Sequence, residues 1–174
     1  IDHTYVTLGD YTISVTGTTP GINFLSMPFS KDNILKINKW GRLTLSDNSG
    51  QFASCTNLVL TGVTDTLNLS GKINLNSLFA YCNSITTINN IENWDVSNIQ
   101  NIGSIFNSTS FNADVSTWNV SAVTFMTFAF ANNSYFNQDL SLWCVSNVLD
   151  YADFDTNATA WTPAYKPNFL SPPC

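Results

Sequence analysis

Charge, histidine and long apolar runs are all scarce in this sequence. Charged residues make up 10% of its 174 positions, against roughly a quarter in an average soluble domain. Six Lys+Arg stand against twelve Asp+Glu, for a net charge of −6 and a pI near 4.3. Phosphate backbones demand clustered cations, so nucleic acid is not an expected partner, and anionic membrane surfaces fail on the same ground. No apolar run approaches the roughly 20 residues of a spanning helix, so no membrane insertion is expected. The single histidine, His3, would have to serve any Ser-His-Asp triad, Cys-His dyad or His-rich zinc site. The eight glycines are scattered and form no phosphate-cradling loop. The chain starts at Ile1, which reads as an internal residue of a longer parent protein, with no signal peptide to read.

In place of charge there are 62 Asn, Ser and Thr residues. Hydrophobic residues reach 44% and aromatics 13%, too many for a disordered chain. This composition, with low Lys and few Cys, points to an extracellular, cell-surface or virion-surface setting.

Self-similarity organises the rest. Trp94-Asp95-Val96-Ser97-Asn98-Ile99, Trp118-Asn119-Val120-Ser121-Ala122-Val123 and Trp143-Cys144-Val145-Ser146-Asn147-Val148 are near copies. Each leads into an apolar i, i+3, i+6 series (Ile99, Ile102, Ile105; Val123, Met126, Ala129; Val148, Tyr151) that ends at Phe106, Phe130 or Phe154. Phe79 and Phe52 precede Phe106 at steps of 27, and the same step carries Trp94 back to Leu67 and Trp40. About five units of 24–27 residues result. The Trp-x-Val-Ser phrase has the period-two, β-branched character of a short strand, and the stripe after it suits one or two helical turns. The expected fold is a repeat solenoid, leucine-rich-repeat-like and β-rich with short helices, capped at both ends. Its core would be Trp40, Leu67, Trp94, Trp118 and Trp143 with Phe52, Phe79, Phe106, Phe130 and Phe154. Residues 31–160 would form the repeat array. Residues 1–30 would cap it, with a half-buried strand alternating at Tyr11, Ile13 and Val15. A Pro-rich segment, 161–174, would close the other end, because the period stops after Trp161.

These units resemble the BspA-like leucine-rich-repeat family, the mycoplasma-lipoprotein-type 25-residue repeat. Its phrase W-D-V-S-N-V-T-N-M-x-x-M-F is matched by Trp94 to Phe106. Its F-N-Q-D-(I/L)-S-x-W is matched by Phe136-Asn137-Gln138-Asp139-Leu140-Ser141-Leu142-Trp143, and more loosely by Phe111 to Trp118. The resemblance covers roughly 90–160 and extends more faintly back to 40; Ile or Phe replaces several of the family's Met positions. His3-Thr4-Tyr5 with Gly9-Asp10-Tyr11-Thr12-Ile13 resembles the closing strands of a PKD-like domain. The family resemblance implies a surface-displayed, non-catalytic binding or adhesion module that contacts protein or glycan, with no cofactor. A structural or decoration component of a virion, tail, filament or surface layer, self-assembling or within a larger protein, is the alternative. It also implies a bridge from Cys144 of the W-C-V phrase to the terminal Cys174. Cys55 and Cys82 each follow a unit Phe by three residues, so adjacent units place them within disulfide range; a bridge or two buried thiols would each fit.

Other candidates have plainer readings. Asp153-x-Asp155-x-Asn157 opens like a calcium loop, but Ala158 and Ala164 occupy the positions where an EF-hand requires Gly and Glu. Asp95, Asp114 and Asp139 recur with the phrase and so read as turn residues, not as a glycosidase pair. The Ser70, Ser97, Ser121 and Ser146 row reads as hydrogen-bonded turns. Five glycosylation sequons fall at Asn68, Asn107, Asn119, Asn132 and Asn157, meaningful only in a glycosylating host.

Overall fold

The computed structural model describes residue 21 and residues 23–24, 31–46 and 48–174. The strand pair read between residues 3 and 16 lies outside them. Among the described residues there is no α-helix and no strand. Three 3-10 turns, Lys31–Asn33, Ile91–Asn93 and Pro163–Tyr165, and isolated parallel bridges are the regular elements. The expected β-rich solenoid with short helices is therefore corrected: the chain is built from turns.

The physical reasons lie in the two phrases that suggested strand and helix. Asp95 Oδ1 accepts the Ser97 N–H at 3.1 Å, an Asx turn, and Val96 O accepts the Ile99 N–H at 2.9 Å. Asn119 and Ser121 repeat the arrangement, with Val120 O accepting from Val123 N–H. Short polar side chains that bond their own backbone two residues on make corners, so Trp-x-Val-Ser turns before it can extend.

The i, i+3 stripe is not helical either. Its hydrogen bonds run from residue i+3 back to i, as in Ile105 N–H to Ile102 O at 3.2 Å and Asn107 N–H to Ser104 O at 3.2 Å. A left-handed residue recurs four positions apart: Ser77 and Tyr81, Ser104 and Ser108, Phe128 and Asn132, Asp153 and Asn157 all have φ between 51° and 62°. An α-helix of L-residues does not contain such residues. Consecutive turns bury every third or fourth side chain much as a helix would, so the apolar pattern alone does not separate the two.

What the backbone gives up within the chain it recovers between successive turn runs. Ile102, Ser104, Phe106 and Ser108 N–H groups donate to the carbonyls of Phe125, Thr127, Ala129 and Ala131 at 2.9–3.0 Å. Met126, Phe128, Phe130 and Asn132 donate to Asp150, Ala152, Phe154 and Thr156 at 2.7–3.0 Å. Runs at 50–55 and 75–82 obey the same rule. Parallel bridges join Asn74 to Asn101, Asn101 to Phe125 and Phe125 to Asp150. Asparagine side chains tie the other flanks: Asn137 N–H donates to Asn112 Oδ1 at 2.9 Å, and Thr162 N–H to Asn137 Oδ1 at 2.7 Å. The Asn of each Phe-Asn pair thus replaces a backbone acceptor.

Aromatic columns fill the interior. Phe52, Phe79, Phe106, Phe130 and Phe154 stand 5.5–6.1 Å apart, ring to ring. Phe111, Phe136 and Trp161 make a second column, and Trp94, Trp118 and Trp143 a third, stacked at 6.3 and 6.4 Å. Leu140 N–H donates to Tyr165 O at 2.7 Å, which ties the segment after Trp161 to the unit before it.

The tryptophans differ in one respect. Trp118 Nε1 donates to Ile91 O at 2.9 Å and Trp143 Nε1 to Val115 O at 3.1 Å, whereas the buried Nε1 of Trp94 has no partner. Trp118→Phe should therefore destabilise more than Trp94→Phe, by about 1 kcal/mol, read as the difference in urea midpoints. Equal losses would mean that the indole hydrogen bonds contribute nothing net.

Candidate functional site

The bridge column forms one lateral face. Along it, three of the four bridge residues spend their side chains on their own backbone: Asn74 Oδ1 accepts Asn76 N–H, Asn101 Oδ1 accepts Gly103 N–H and Asp150 Oδ1 accepts Ala152 N–H, at 2.8–3.0 Å. The fourth position is Phe125, which cannot accept such a bond and is 44% exposed. Gly103 is fixed by packing, since a Cβ there would lie 2.7 Å from Asn76 Nδ2.

Phe128 adds to this face. It sits at φ 57° in a position held by Gly50, Ser77, Ser104 and Asp153 in the other runs, and it is 40% exposed. Left-handed backbone costs a bulky L-residue about 1–2 kcal/mol, and two fifths of the side chain's surface stays open to solvent. Ile73 and Leu149, adjoining the bridge column, are also exposed. The face therefore carries Ile73, Phe125, Phe128 and Leu149 among hydrogen-bonded polar neighbours, where isolated exposed apolar residues would need no explanation. Sequence reasoning missed these four. The available signal was an aromatic at a repeat position that elsewhere holds Asn, Ser, Gly or Asp.

The residues singled out from the sequence fall as follows. Trp40, Leu67, Trp94, Trp118, Trp143, Phe52, Phe79, Phe106, Phe130 and Phe154 are all buried, so none of these rings offers an open stacking surface. Asp95, Asp114 and Asp139 each accept the N–H of the serine two residues on. The Ser97 hydroxyl and N–H hold the Asp95 carboxyl below its ordinary range, and Ser141 does the same for Asp139. Stability tied to these two groups is present above the ordinary carboxylate value near 4 and is lost as pH falls through the lowered ones. Asn119 does the work of Asp95 in the next unit, so the double variant Asp95→Asn, Asp139→Asn should keep its turns. Its melting temperature should fall less steeply than the native protein's below about pH 4; identical acid limbs would count against the linkage.

Asp153, Asp155 and Asn157 do not converge. Thr156 donates to Asp153 Oδ1 at 2.9 Å, Lys166 pairs with Asp155 at 2.5 Å, and Asn157 Nδ2 donates to Asn132 Oδ1 at 2.8 Å. Among the described residues no group of three or more His, Cys, Asp or Glu is placed to hold a metal. Of the sequons, Asn107 is buried and its Oδ1 accepts from Ser108 and Asn132; it is corrected as a glycan acceptor, because the folded chain encloses it. Asn68, Asn119, Asn132 and Asn157 are exposed.

Cys144 and Cys174 form a disulfide with Cα atoms 5.5 Å apart. Cys55 and Cys82 are free and buried, which corrects the alternative in which they were bridged. The Cys82 thiol donates to Phe52 O at 2.9 Å, so its sulfur is committed to a backbone acceptor. Burial pushes the Cys82 thiol up to about 12, helped by a Cys55 charge. Burial, then Asp32, pushes Cys55 up to about 11 against the opposing pull of Lys31. Thiolate is the reactive form. A thiol reagent at pH 8 should therefore label neither cysteine in the folded protein and both in denaturant; prompt labelling of the native chain would contradict this burial.

The family model described as "Mycoplasma protein of unknown function, DUF285" matches residues 73–167. The chain belongs to this family. The match spans the turn runs from the one at 75–82 onward, and with them the whole bridge column of the DUF285 chain from Asn74 to Asp150. The leucine-rich-repeat and PKD-like resemblances are not part of that match. No curated protein and no solved structure matches the chain. The disulfide of this DUF285 protein fits an oxidising, extracellular or surface location, and no described helix is long and apolar enough to cross a membrane.

Proposed function

We propose that this chain is a non-catalytic binding module displayed at an outer surface, contacting protein or glycan through the lateral face that carries Ile73, Phe125, Phe128 and Leu149. The observation that supports it best is Phe128. A large aromatic is held exposed in left-handed backbone, where the equivalent residues of other runs are small or polar. Backbone held in a sparsely populated conformation clusters at functional sites. Aromatics concentrate binding energy at interfaces. The exposed aliphatic side chains of Ile73 and Leu149, which adjoin the same bridge column, favour a protein surface over a sugar.

The face is backed by three runs, 75–81, 102–108 and 126–132, whose alternate backbone N–H groups are bonded to the next run, so little ordering cost accompanies binding. Its few charges leave recognition to apolar contact and hydrogen bonds.

The test is a screen of the native protein on host-protein and glycan arrays beside the double variant Phe125→Ser, Phe128→Ser. Binding to a protein or glycan target that the variant loses, with its melting temperature kept, is the expected result. Clean negatives on both arrays, or equal binding by the variant, would overturn the proposal.

A further inference from the structure

Within the turn runs the alternate N–H groups point one way, each run donating to the carbonyls of the next, while residues at the bridge column donate backward, as Thr124 does to Gln100 and Leu149 to Thr124. One run beyond Met126, Phe128, Phe130 and Asn132, the equivalent donors are Tyr151, Asp153, Asp155 and Asn157. None of these four N–H groups meets a carbonyl among the described residues. The chain crosses in front of them instead of laying down another run. Lys166 pairs with Asp155, Phe169 stacks parallel on Tyr151 at 4.1 Å and meets Phe154 edge-on at 5.1 Å, and Cys174 returns to Cys144. Between this strap and residues 151–156 lies a cleft of about 360 Å³. It adjoins another of about 670 Å³ that shares Tyr151, Lys166, Pro167 and Phe169.

We propose that this cleft is a saccharide-binding site. Its chemistry selects among ligands. The open N–H row requires acceptors, and Asp153 and Asp155 beside it keep lone pairs for a donor beyond the Thr156 hydroxyl and the Lys166 ammonium that already meet them. A sugar hydroxyl is both at once, so one ring can accept from a backbone N–H and donate to a carboxylate. A peptide bears its donors and acceptors on separate atoms, so its carbonyls can take the N–H row but no single group answers both the row and a carboxylate. An anion meets Asp150, Asp153 and Asp155 with Lys166 alone against them, and Lys166 is already held at 2.5 Å by Asp155. The Tyr151 and Phe169 rings offer the apolar contact that the C–H face of a sugar needs. The volume lies in the range of small-ligand sites. The disulfide makes the site, because it keeps Phe169 and Lys166 over the donor row.

The site uses the end of the stack and different side chains from the lateral face, so the two proposals stand or fall separately. The test follows the backbone amide resonances of the full native chain, isotope-labelled, during titration with glucose, galactose, mannose and N-acetylglucosamine at millimolar concentration, with inorganic phosphate as the anion arm. At least one sugar should shift Tyr151, Asp153, Asp155 and Asn157 in a saturable way. Phe169→Ala should weaken that sugar about tenfold, or 1.4 kcal/mol. Asp153→Asn, which keeps the N–H, the left-handed turn and the Lys166–Asp155 pair but removes a carboxylate, should weaken it by a similar factor. Phosphate should leave these amides in place. The proposal is overturned if no sugar moves them, if phosphate moves them more than any sugar does, or if shifts appear only around Phe125 and Phe128; the last result would leave the lateral-face reading intact.

Discussion

Phe106→Ala should lower the stability of this protein by about 3–5 kcal/mol, the usual cost of deleting a fully buried ring. Phe106 has no exposed surface. It stacks on Phe79 at 6.1 Å and Phe111 at 3.9 Å, and meets Phe130 at 5.7 Å and Trp118 at 6.3 Å. It is therefore a point where all three aromatic columns touch, as Phe130 is one unit on. Rings in such arrangements each add about 0.5–1.5 kcal/mol beyond their buried area, and the hydrogen-bonded turn runs on either side restrict collapse into the cavity. With total stabilities of about 5–15 kcal/mol for ordinary domains, the variant would sit near its threshold. A chain of this size loses about 2–4 °C of melting temperature per kcal/mol, so a drop of roughly 6–20 °C is expected. Leu142→Ala is the control: Leu142 is 83% exposed, and its removal should change stability by under about 0.5 kcal/mol. If the two variants unfold alike, the columns are not what holds the chain together.

Loss of the Cys144–Cys174 bridge is the second large effect. The bridge closes a separation of 30 residues, for which loop-closure entropy corresponds to about 3–4 kcal/mol of global stability. The more specific consequence is local. Nothing else covalent holds the strap, whose packing rests on Phe169 against Tyr151 and Phe154 and on the Lys166–Asp155 pair. The double variant Cys144→Ser, Cys174→Ser should expose Phe169 and Leu170 to chymotrypsin while the turn runs between 75 and 158 stay resistant. Rapid cleavage confined to the strap, together with a lower melting temperature, is the expected pattern. A strap as resistant without the bridge as with it would show that side-chain packing alone suffices there. The same variant bears on the end cleft, which should lose its ligand when the strap departs.

Much of the packing could be read from spacing alone. Phe52, Phe79 and Phe106 recur at 27 residues, and a periodic chain that stacks must bring equivalent rings together, as the 5.6 and 6.1 Å separations show. The Asx turns were equally readable, because Asp-x-Ser and Asn-x-Ser satisfy a local N–H whatever surrounds them. The backbone conformation was not. An apolar residue at every third or fourth position marks one buried face, and a helix and a run of turns both produce it. The choice between them depended on where the alternate N–H groups found acceptors, and those acceptors lie a whole unit away. The lateral face was hidden for a related reason. Phe125 and Phe128 belong to the same apolar stretch as Met126 and Phe130, and only the left-handed turn at 128 directs some of these side chains outward and others inward.

By itself, then, the sequence determined the register: which aromatics stack, which serines and aspartates make corners, and which few charges are left for contact. Tertiary structure decided what register cannot express. It replaced strand and helix by turns, because hydrogen bonds between units outcompeted those within them. It turned Cys82 toward the carbonyl of Phe52 and kept two thiols apart. Among the described residues it left four N–H groups without a backbone acceptor, because the strap crosses in front of residues 151–157 where the earlier runs face another run.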